Sequence, residues 1–253
     1  GISKAPKGRR KLDPSKAVLL SDIHICGELK DGVSKHYPYN PTCLKLRIAE
    51  ILSMRRLPAN VLVFGDVAWD HGLEEDYRYT AELLAKLEEV GIKLTLGLGN
   101  HGRQTSCFKS FTSYSQSTWV NGRVVSIVEM PDVDLVMLDS LAEKPNLKPR
   151  QSTTVSGEIN EEQIEWLRQY LKGNKRPVIL GAHHPLGEMK NLEKLITDSP
   201  MVKGYIYGHT HIWNKSAYII RPRKDLHMVP TVGLPATFYG DIGFAILRST
   251  PEA

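Results

Sequence analysis

Short apolar segments alternate with amphipathic stretches along this 253-residue chain, and this alternation restricts the possible folds more than any other feature. The apolar runs are four to seven residues long and end at Gly, Pro or Asp, which is typical of buried strands. Several of the stretches between them carry apolar residues at helical spacing. The pattern predicts the α/β class, and no apolar run is long enough to span a membrane.

The elements are predicted in a definite order. Helices are predicted from Asn40, over residues 73–90 and from Asn160, because each has a capping signal and an apolar face. The last 50 residues have little helical periodicity, which predicts a second sheet, and segments 26–39 and 104–122 have no regular pattern. Strands are predicted at residues 17–20, 61–64, 92–96, 124–127, 133–138, 178–182, 205–207, 217–220, 226–229 and 244–247.

The chain has no internal repeat and no Gly-, Ser- or Pro-rich linker, so it is interpreted as one domain of two packed sheets with helices outside. Its net charge of +5 arises in residues 1–16, where six basic residues accompany one acidic residue, while the remainder has 27 of each. We therefore divide the chain into a basic N-terminal arm, residues 1–16, and a single domain, residues 17–253. A neutral body makes nucleic acid an improbable partner.

Cysteine content and the first residues bear on location. Three cysteines are too few to cross-link a chain of this length. Arg9-Arg10 is not followed by the apolar segment of a twin-arginine export signal, whereas Gly1 in place of Met indicates processing or trimming. We expect a soluble protein, either cytoplasmic or exported with its signal segment removed. The sequence does not indicate its oligomeric state.

Five clusters of Asp, Asn and His residues each directly follow a predicted strand, and they contain six of the nine histidines. Because the carboxyl ends of parallel strands meet at one edge of a sheet, these side chains are expected to lie close together. Carboxylate, amide and imidazole ligands suit Zn, Mn or Fe better than Ca or Mg, which prefer oxygen alone. The clusters are Asp22-Ile23-His24, Gly65-Asp66, Gly99-Asn100-His101, His183-His184-Pro185 and Gly208-His209-Thr210-His211.

A donor set of this size suits a pair of ions. Two ions about 3.5 to 4 Å apart lower the pKa of a shared water and bind the oxygens of a phosphoryl group during its transfer. A carboxylate can contact both ions at once. The clusters therefore predict hydrolysis of a small-molecule phosphoester.

In this order the clusters resemble the calcineurin-like metallophosphoesterase superfamily, whose pattern is Asp-x-His, Gly-Asp, Gly-Asn-His, His and Gly-His-x-His. The resemblance covers residues 22–211 and implies a four-layer fold, a two-sheet β-sandwich flanked by helices. It implies hydrolysis of a phosphomonoester or phosphodiester by hydroxide activated at two divalent or trivalent Mn, Fe or Zn ions. The implied ligands are Asp22, His24 and His211 for the first ion, Asn100, His183 and His209 for the second, and Asp66 for both.

The resemblance implies that His101 binds a phosphate oxygen or protonates the leaving group. Many relatives have an acidic residue directly after this histidine, whereas Gly102 and Arg103 follow here, and Arg103 is a candidate substrate contact instead. Trp69 stands where the family's second aspartate often falls, and Asp70 is displaced by one. The chain resembles the branch of purple acid phosphatases and class III phosphodiesterases. Purple acid phosphatases have a metal-binding tyrosine at the position that Trp69 occupies in this chain, so no iron-tyrosinate site is expected.

Several side chains and functions have a second interpretation. His184 either lines the substrate pocket or donates to the backbone, and Phe238 and Tyr239 either line that pocket or, as we expect, pack between the sheets. A non-catalytic scaffold with this fold is an alternative function, although such scaffolds generally lack ligands. A nuclease is another, although it requires basic grooves with aromatic residues.

The segment 97–102 also matches the Gly-x-Gly-x-x-Gly fingerprint of dinucleotide-binding proteins. That motif opens directly into a helix, and the polar residues after His101 predict little helix. We therefore expect no dinucleotide site at this loop.

Overall fold

The computed structural model describes residues 11–27, 40–111, 117–142, 148, 155–220 and 227–251. Within these ranges two β-sheets form the centre, and α-helices cover the outer face of each sheet. The predicted α/β class and the arrangement of two packed sheets flanked by helices are confirmed. No helix in the described ranges is both long enough and apolar enough to span a bilayer.

The first half alternates strand and helix as predicted. The helices are α1 (Asn40–Ser53), α2 (Glu74–Glu88), α3 (Gln104–Ser110), α4 (Glu161–Gly173) and α5 (Lys190–Thr197). The strands are β1 (Leu12–Leu20), β2 (Leu57–Phe64), β3 (Lys93–Gly97), β4 (Ser117–Val120), β5 (Arg123–Glu129), β6 (Asp134–Met137), β7 (Val178–Gly181), β8 (Val202–Tyr207), β9 (Asn214–Ile220), β10 (His227–Gly233) and β11 (Ala245–Arg248).

The first sheet has the strand order β11-β1-β2-β3, in which β1, β2 and β3 are parallel and β11 is antiparallel to β1. The second sheet has the order β4-β5-β6-β7-β8-β10-β9. Its central strands β6, β7, β8 and β10 are parallel, while β4, β5 and β9 pair antiparallel with their neighbours. The carboxyl ends of the parallel strands carry the site described below.

Three apolar layers hold the sheets and helices together. The layer between the sheets contains side chains from β1 and β2 on one side and from β6 and β8 on the other. Helices α1, α2 and α3 pack on the outer face of the first sheet, and α4 and α5 pack on the second. The inter-sheet layer includes Ala17, Leu19, Leu62, Phe64, Leu135, Met137 and Ile206.

The helix ends follow the capping signals in the sequence, with one difference. Gly91, at φ +92°, ends α2, and its N–H donates to the Glu88 carbonyl at 2.8 Å. The Asn160 side chain caps α4 by accepting from the Gln163 N–H at 3.3 Å. The Gln163 side chain binds the backbone of Asp139 instead of turning back to Asn160, so only half of the predicted capping box forms.

Three predictions of local structure are wrong. Segment 104–122 is expected from the sequence to have no regular structure, but it contains α3 and β4. Helix α3 is short and polar, and Cys107, Phe108 and Phe111 pack it on the apolar layer outside the first sheet. The second sheet is not confined to the last 50 residues, because it begins at β4 and the final strand β11 pairs with β1 in the first sheet. Strand β1 begins at Leu12, inside the predicted arm, because Leu12 and Asp13 pair with β2.

Other predictions of organisation are not tested by these contacts. Residues 1–10 of the arm and 28–39 of the predicted loop lie outside the described residues. The division of the chain into an arm and a single domain stays a prediction. The three cysteines lie within the described ranges and none of them forms a disulfide.

Candidate metal centre

The five clusters predicted from the sequence meet where β1, β2, β3, β7 and β8 end. Backbone hydrogen bonds extend the strand pairing into the clusters, since the Asp22 N–H donates to the Gly65 carbonyl at 3.2 Å and the His24 N–H to the Asp66 carbonyl at 2.9 Å. The Gly208 N–H donates to the His183 carbonyl at 2.9 Å. The loops that carry the ligands are therefore fixed to one another at their first residues.

Backbone strain is concentrated in these loops. Among the described non-glycine residues six have a left-handed φ, and five of the six are predicted metal ligands. Such conformations cost roughly 1–3 kcal/mol each and persist where surrounding structure enforces them, which is common at functional sites. The five are Asp22 (51°), His24 (43°), Asp66 (46°), His209 (65°) and His211 (57°).

The first group of ligands is formed by Asp22, His24 and His211. The Asp22 Oδ2 atom accepts from the Ser21 hydroxyl at 2.5 Å and from the His209 N–H at 3.0 Å. Its Oδ1 atom lies 3.1 Å from His211 Nε2 and 3.9 Å from His24 Nε2. One carboxylate oxygen is thus held by the protein, while the other faces two imidazole nitrogens.

The second group is formed by Asn100, His183 and His209. The Asn100 Oδ1 atom lies 3.1 Å from His183 Nε2 and 3.0 Å from His209 Nδ1. The two imidazole nitrogens are 3.3 Å apart. An amide oxygen and two ring nitrogens therefore converge on one point.

Asp66 lies between the two groups. Its Oδ2 atom is 3.1 Å from His183 Nε2 and 3.7 Å from His24 Nε2, while Oδ1 accepts from the His101 N–H at 2.9 Å. The carboxylate is buried. Asp66 Oδ2 therefore faces one imidazole nitrogen of each group.

Backbone carbonyls set the orientation of two histidines. His183 Nδ1 donates to the Phe64 carbonyl at 2.7 Å, and His24 Nδ1 donates to the Trp69 carbonyl at 2.9 Å. Because a carbonyl can only accept, Nδ1 carries a proton in both rings, and Nε2 is the nitrogen that faces the cluster. Carbonyl partners of this kind are the usual supports of metal-ligating histidines.

The cluster contains two buried carboxylates, Asp22 and Asp66, whose negative charge a bound cation would neutralise. Burial alone would raise the pKa of the Asp66 carboxyl, but the His183 imidazole beside it holds that pKa well below its usual range. Burial alone would lower the pKa of His183, but Asp66 and then Asp22 raise that pKa to about 9. Without another cation, the carboxylates draw a proton onto a buried imidazole.

Two further observations fit bound metal. The buried His24 Nε2 atom has no hydrogen-bond partner among the described residues, although unpaired buried polar atoms are costly. Burial lowers the pKa of His24 and of His209, which keeps both rings neutral as ligation requires. The donor set of carboxylate, amide and imidazole therefore fits transition-metal ions.

His101 lies at the opening of the cluster, with its ring edge-on to His24 at 5.1 Å between centroids. Its Nδ1 donates to Asp70, at 2.9 Å from Oδ1 and 3.0 Å from the backbone carbonyl. The other Asp70 oxygen lies 3.0 Å from His71 Nε2. The acidic support for His101 therefore comes from Asp70, and the sequence signal for it was the displaced aspartate after Trp69.

The His184 ring is buried with both nitrogens engaged. Nε2 donates to the Val155 carbonyl at 3.0 Å, so Nδ1 accepts from the Ser140 hydroxyl at 2.8 Å. Burial, and then the neighbouring imidazoles of His183 and His209, lower the pKa of His184 to about 3, so the ring is neutral. Donation to the backbone is the observed arrangement, and contact with substrate stays a prediction.

The Arg103 side chain also makes backbone contacts. Its Nε donates to the His71 carbonyl at 2.9 Å and its Nη2 to the Lys148 carbonyl at 2.7 Å, while its N–H donates to the Tyr77 hydroxyl at 3.0 Å. These bonds support the loop that carries Asp70. The role of Arg103 as a substrate contact stays a prediction.

Phe238 and Tyr239 line the cluster. The Phe238 ring lies 5.6 Å from the His24 ring, and the Tyr239 ring lies 5.4 Å from the His211 ring, both edge-on. Neither belongs to the apolar layer between the sheets. The expectation that they pack between the sheets is therefore wrong, and the alternative that they line the site is what the contacts show.

The glycine-rich loop 97–102 is filled by the protein itself. A Cβ on Gly99 would lie 2.2 Å from Asp66 Oδ1, and one on Gly102 would lie 3.2 Å from the Tyr77 hydroxyl. Helix α3 does follow this loop, so the prediction of little helix there is wrong. Because Gly99 has no side chain, the Asp66 carboxylate occupies the space beside it. A pyrophosphate therefore cannot enter that space.

Replacing Gly99 with Ala is therefore expected to displace Asp66 and to lower both metal content and phosphoesterase turnover. The clash is with a buried carboxylate held by the His101 N–H, so it cannot be relieved by a flexible chain end. Metal analysis after gel filtration and initial rates would measure the change. Gly173→Ala is the matched control, because a Cβ there meets nothing within 4 Å, and wild-type metal content is expected. Wild-type metal content in Gly99→Ala would contradict the prediction.

Comparisons with known proteins bear on this geometry. A family model described as calcineurin-like phosphoesterase matches residues 15–213. The protein TT1561 of Thermus thermophilus is 10% identical at a TM-score of 0.50, with 88% of this chain and 90% of that chain covered. A putative 5'-nucleotidase from Staphylococcus aureus, in complex with alpha-ketoglutarate, is 17% identical at a TM-score of 0.46, with 88% and 49% covered. No curated protein matches the chain. At these identities the likeness to solved structures shows the fold alone.

Proposed function

The chain belongs to the calcineurin-like phosphoesterase family, and from this premise we propose that it hydrolyses a small-molecule phosphomonoester or phosphodiester at a centre of two metal ions. Membership supports metal-dependent phosphoester hydrolysis in general. One observation carries the finer proposal: the Asp66 carboxylate lies between two separate groups of converging ligand atoms.

The ligands of each proposed ion are the residues of one of the two groups described above, together with Asp66. Mn, Fe and Zn are the candidates, because nitrogen and oxygen donors occur together. When bound, two such ions would lower the pKa of a water molecule and withdraw charge from the phosphoryl oxygens. Asp22, His24 and His211 would hold one ion, Asn100, His183 and His209 the other, and Asp66 both.

His101 supplies a proton to the leaving group. Asp70 accepts from Nδ1 of His101, which leaves Nε2 as the nitrogen that exchanges a proton with substrate. The ring is partly exposed, with 34% of the side chain accessible, so an ester oxygen can reach it. This chain therefore holds its proton donor in one orientation with an aspartate from the loop after β2.

Two other functions are less well supported. A non-catalytic scaffold does not need seven converging ligands or a histidine held at the opening of the cluster. A nuclease requires a strongly basic surface, whereas residues 17–253 contain equal numbers of basic and acidic residues. Hydrolysis of a small phosphoester accounts for the buried donors and for the charge balance together.

The test compares two substrates on the purified full chain after loading with Mn, Fe or Zn. Initial rates on 4-nitrophenyl phosphate and on bis(4-nitrophenyl) phosphate separate monoesterase from diesterase activity. Metal analysis gives the number of ions per chain, for which we expect two. An inactive chain that binds no metal would overturn the proposal.

Replacing Asp70 with Asn is expected to lower turnover about 10- to 100-fold with metal content unchanged, because supporting residues of a site contribute about that much. The neutral amide accepts more weakly from His101 Nδ1 and therefore holds the ring less firmly in the orientation that faces the substrate. Rates and metal content would be measured together. Asp198→Asn, a change of the same kind at the end of α5, is the control and should keep wild-type rates. A loss of metal in Asp70→Asn would contradict the assigned role.

A further inference from the structure

Exposed apolar side chains lie next to His211 in sequence and in the loop whose Phe238 and Tyr239 rings contact His24 and His211. They come from two short segments: the residues directly after His211, and the loop 236–243. Trp213 is 44% exposed, Ile212 55%, and Tyr239 and Ile242 58% each. We call this group the apolar rim, defined as Ile212, Trp213, Phe238, Tyr239 and Ile242.

The rim is fixed to the ligand loop by backbone contacts. The Asp241 N–H donates to the His211 carbonyl at 2.8 Å, and the Trp213 N–H donates to the Asp241 carboxylate at 2.8 Å. The loop 236–243 is also closed on itself, since the Ala236 N–H donates to the Asp241 carbonyl at 3.0 Å. The rim is therefore a formed surface with a set position beside the centre.

The concentration of exposed apolar side chains at this place needs an explanation. Nine large apolar side chains in the described residues are exposed, and four of them belong to the rim. The other five are spread over separate parts of the fold. Exposed apolar groups gathered beside a reactive centre are typical of a ligand contact, because a ligand that covers them removes apolar surface from water.

We infer that the apolar rim binds a flat aromatic ring in the organic part of the phosphoester. This inference rests on the proposed function, in which the leaving group lies at His101, and the His101 ring is 5.1 Å from the His24 ring that Phe238 contacts. The rings of Phe238 and Tyr239 contact His24 and His211 directly. Aromatic side chains stack on planar groups, which favours a ring over a flexible alkyl chain.

Two side chains of opposite charge, Lys215 and Asp241, lie at the rim. Lys215 Nζ lies 5.6 Å from the centroid of the Trp213 ring, so a positive charge accompanies the aromatic surface. Inorganic phosphate or a methyl ester would leave the rim uncovered. The expected substrate class is therefore a phosphoester that bears an aromatic ring close to phosphorus.

The experiment measures binding of three non-hydrolysable phosphonates to the manganese-loaded full chain by titration calorimetry. Methylphosphonate reports the centre alone, phenylphosphonate adds a flat ring, and cyclohexylphosphonate adds six carbons without a flat ring. We expect phenylphosphonate to bind about tenfold more tightly than methylphosphonate and about threefold more tightly than cyclohexylphosphonate.

Variants assign the effect to the rim. Trp213→Ala and Tyr239→Ala are each expected to reduce the affinity ratio of phenylphosphonate to methylphosphonate to below about threefold. Trp119→Ala is the matched control, because Trp119 is 61% exposed on the edge strand β4, and it should keep the wild-type ratio. Circular dichroism would establish that each variant is folded.

The outcomes separate the two proposals. If methylphosphonate binds and phenylphosphonate binds no more tightly, the rim inference fails while the proposed function stands. Equal affinities for phenylphosphonate and cyclohexylphosphonate would overturn the choice of a flat ring, as would unchanged ratios in both rim variants. If none of the three phosphonates binds, the proposed function itself fails.

Discussion

Replacing Asp66 with Asn is expected to remove at least one metal ion and to lower turnover at least about a hundredfold, because it affects both ions at once. Asp66 Oδ2 faces His183 Nε2 and His24 Nε2, whereas an amide carries no charge and presents an N–H toward one of its neighbours. Metal analysis and initial rates on the better nitrophenyl ester would measure both effects, with circular dichroism as the check on folding.

Asp134→Asn is the matched control for this change. Asp134 is also buried, but it lies at the start of β6, at the opposite end of the sheet from the ligands, where it accepts from Arg176 Nε and from the Tyr170 hydroxyl at 2.9 Å each. We expect it to keep metal and turnover while losing about 1–3 kcal/mol of stability, the usual cost of weakening a buried charged hydrogen bond. Wild-type metal content and turnover in Asp66→Asn would overturn the assignment of a shared ligand.

Replacing His101 with Gln is expected to lower turnover about 10²- to 10⁴-fold, the usual contribution of a general acid, with metal content unchanged. The backbone N–H of residue 101 still donates to Asp66 in this variant, so the ligand cluster stays in place. Rates and metal content would be measured on the same preparations.

The dependence on leaving group distinguishes two roles of His101. If His101 donates a proton, the variant should lose more activity on a phenyl ester than on a nitrophenyl ester, because phenolate is the more basic leaving group. If His101 only holds a phosphate oxygen, the two losses should be equal. Unchanged turnover on both esters would contradict either role.

The sequence predicted the seven ligands because their signal is local. Each cluster directly follows a buried strand, so the identity of its residues and the end of the strand are both visible within a few positions. The pattern therefore identifies Asp22, Asp66 and His209, although Asp22 and His209, which share a hydrogen bond, are 187 positions apart in the sequence. Parallel strands in one sheet bring their ends to one edge, whereas the packing of the two sheets against each other brings the end of β8 to the end of β1.

Other features depend on packing between segments that carry no such signal. The contact of Asp70 with His101 spans 31 positions and depends on how the loop after β2 folds back. His184 is adjacent to a ligand in sequence, yet the Val155 carbonyl and the Ser140 hydroxyl occupy both of its nitrogens. A pattern of residue types does not contain these contacts, because several loop conformations satisfy the same pattern.

The sequence by itself therefore determined the fold class and which Asp, Asn and His residues gather at the candidate metal centre, because strand periodicity and residue type are properties of short segments. Only the tertiary structure decided which aspartate holds His101, that Phe238 and Tyr239 line the centre, and that β11 joins the first sheet. The physical reason is that these depend on long-range packing, where the free energy of burying one loop against another selects a single conformation.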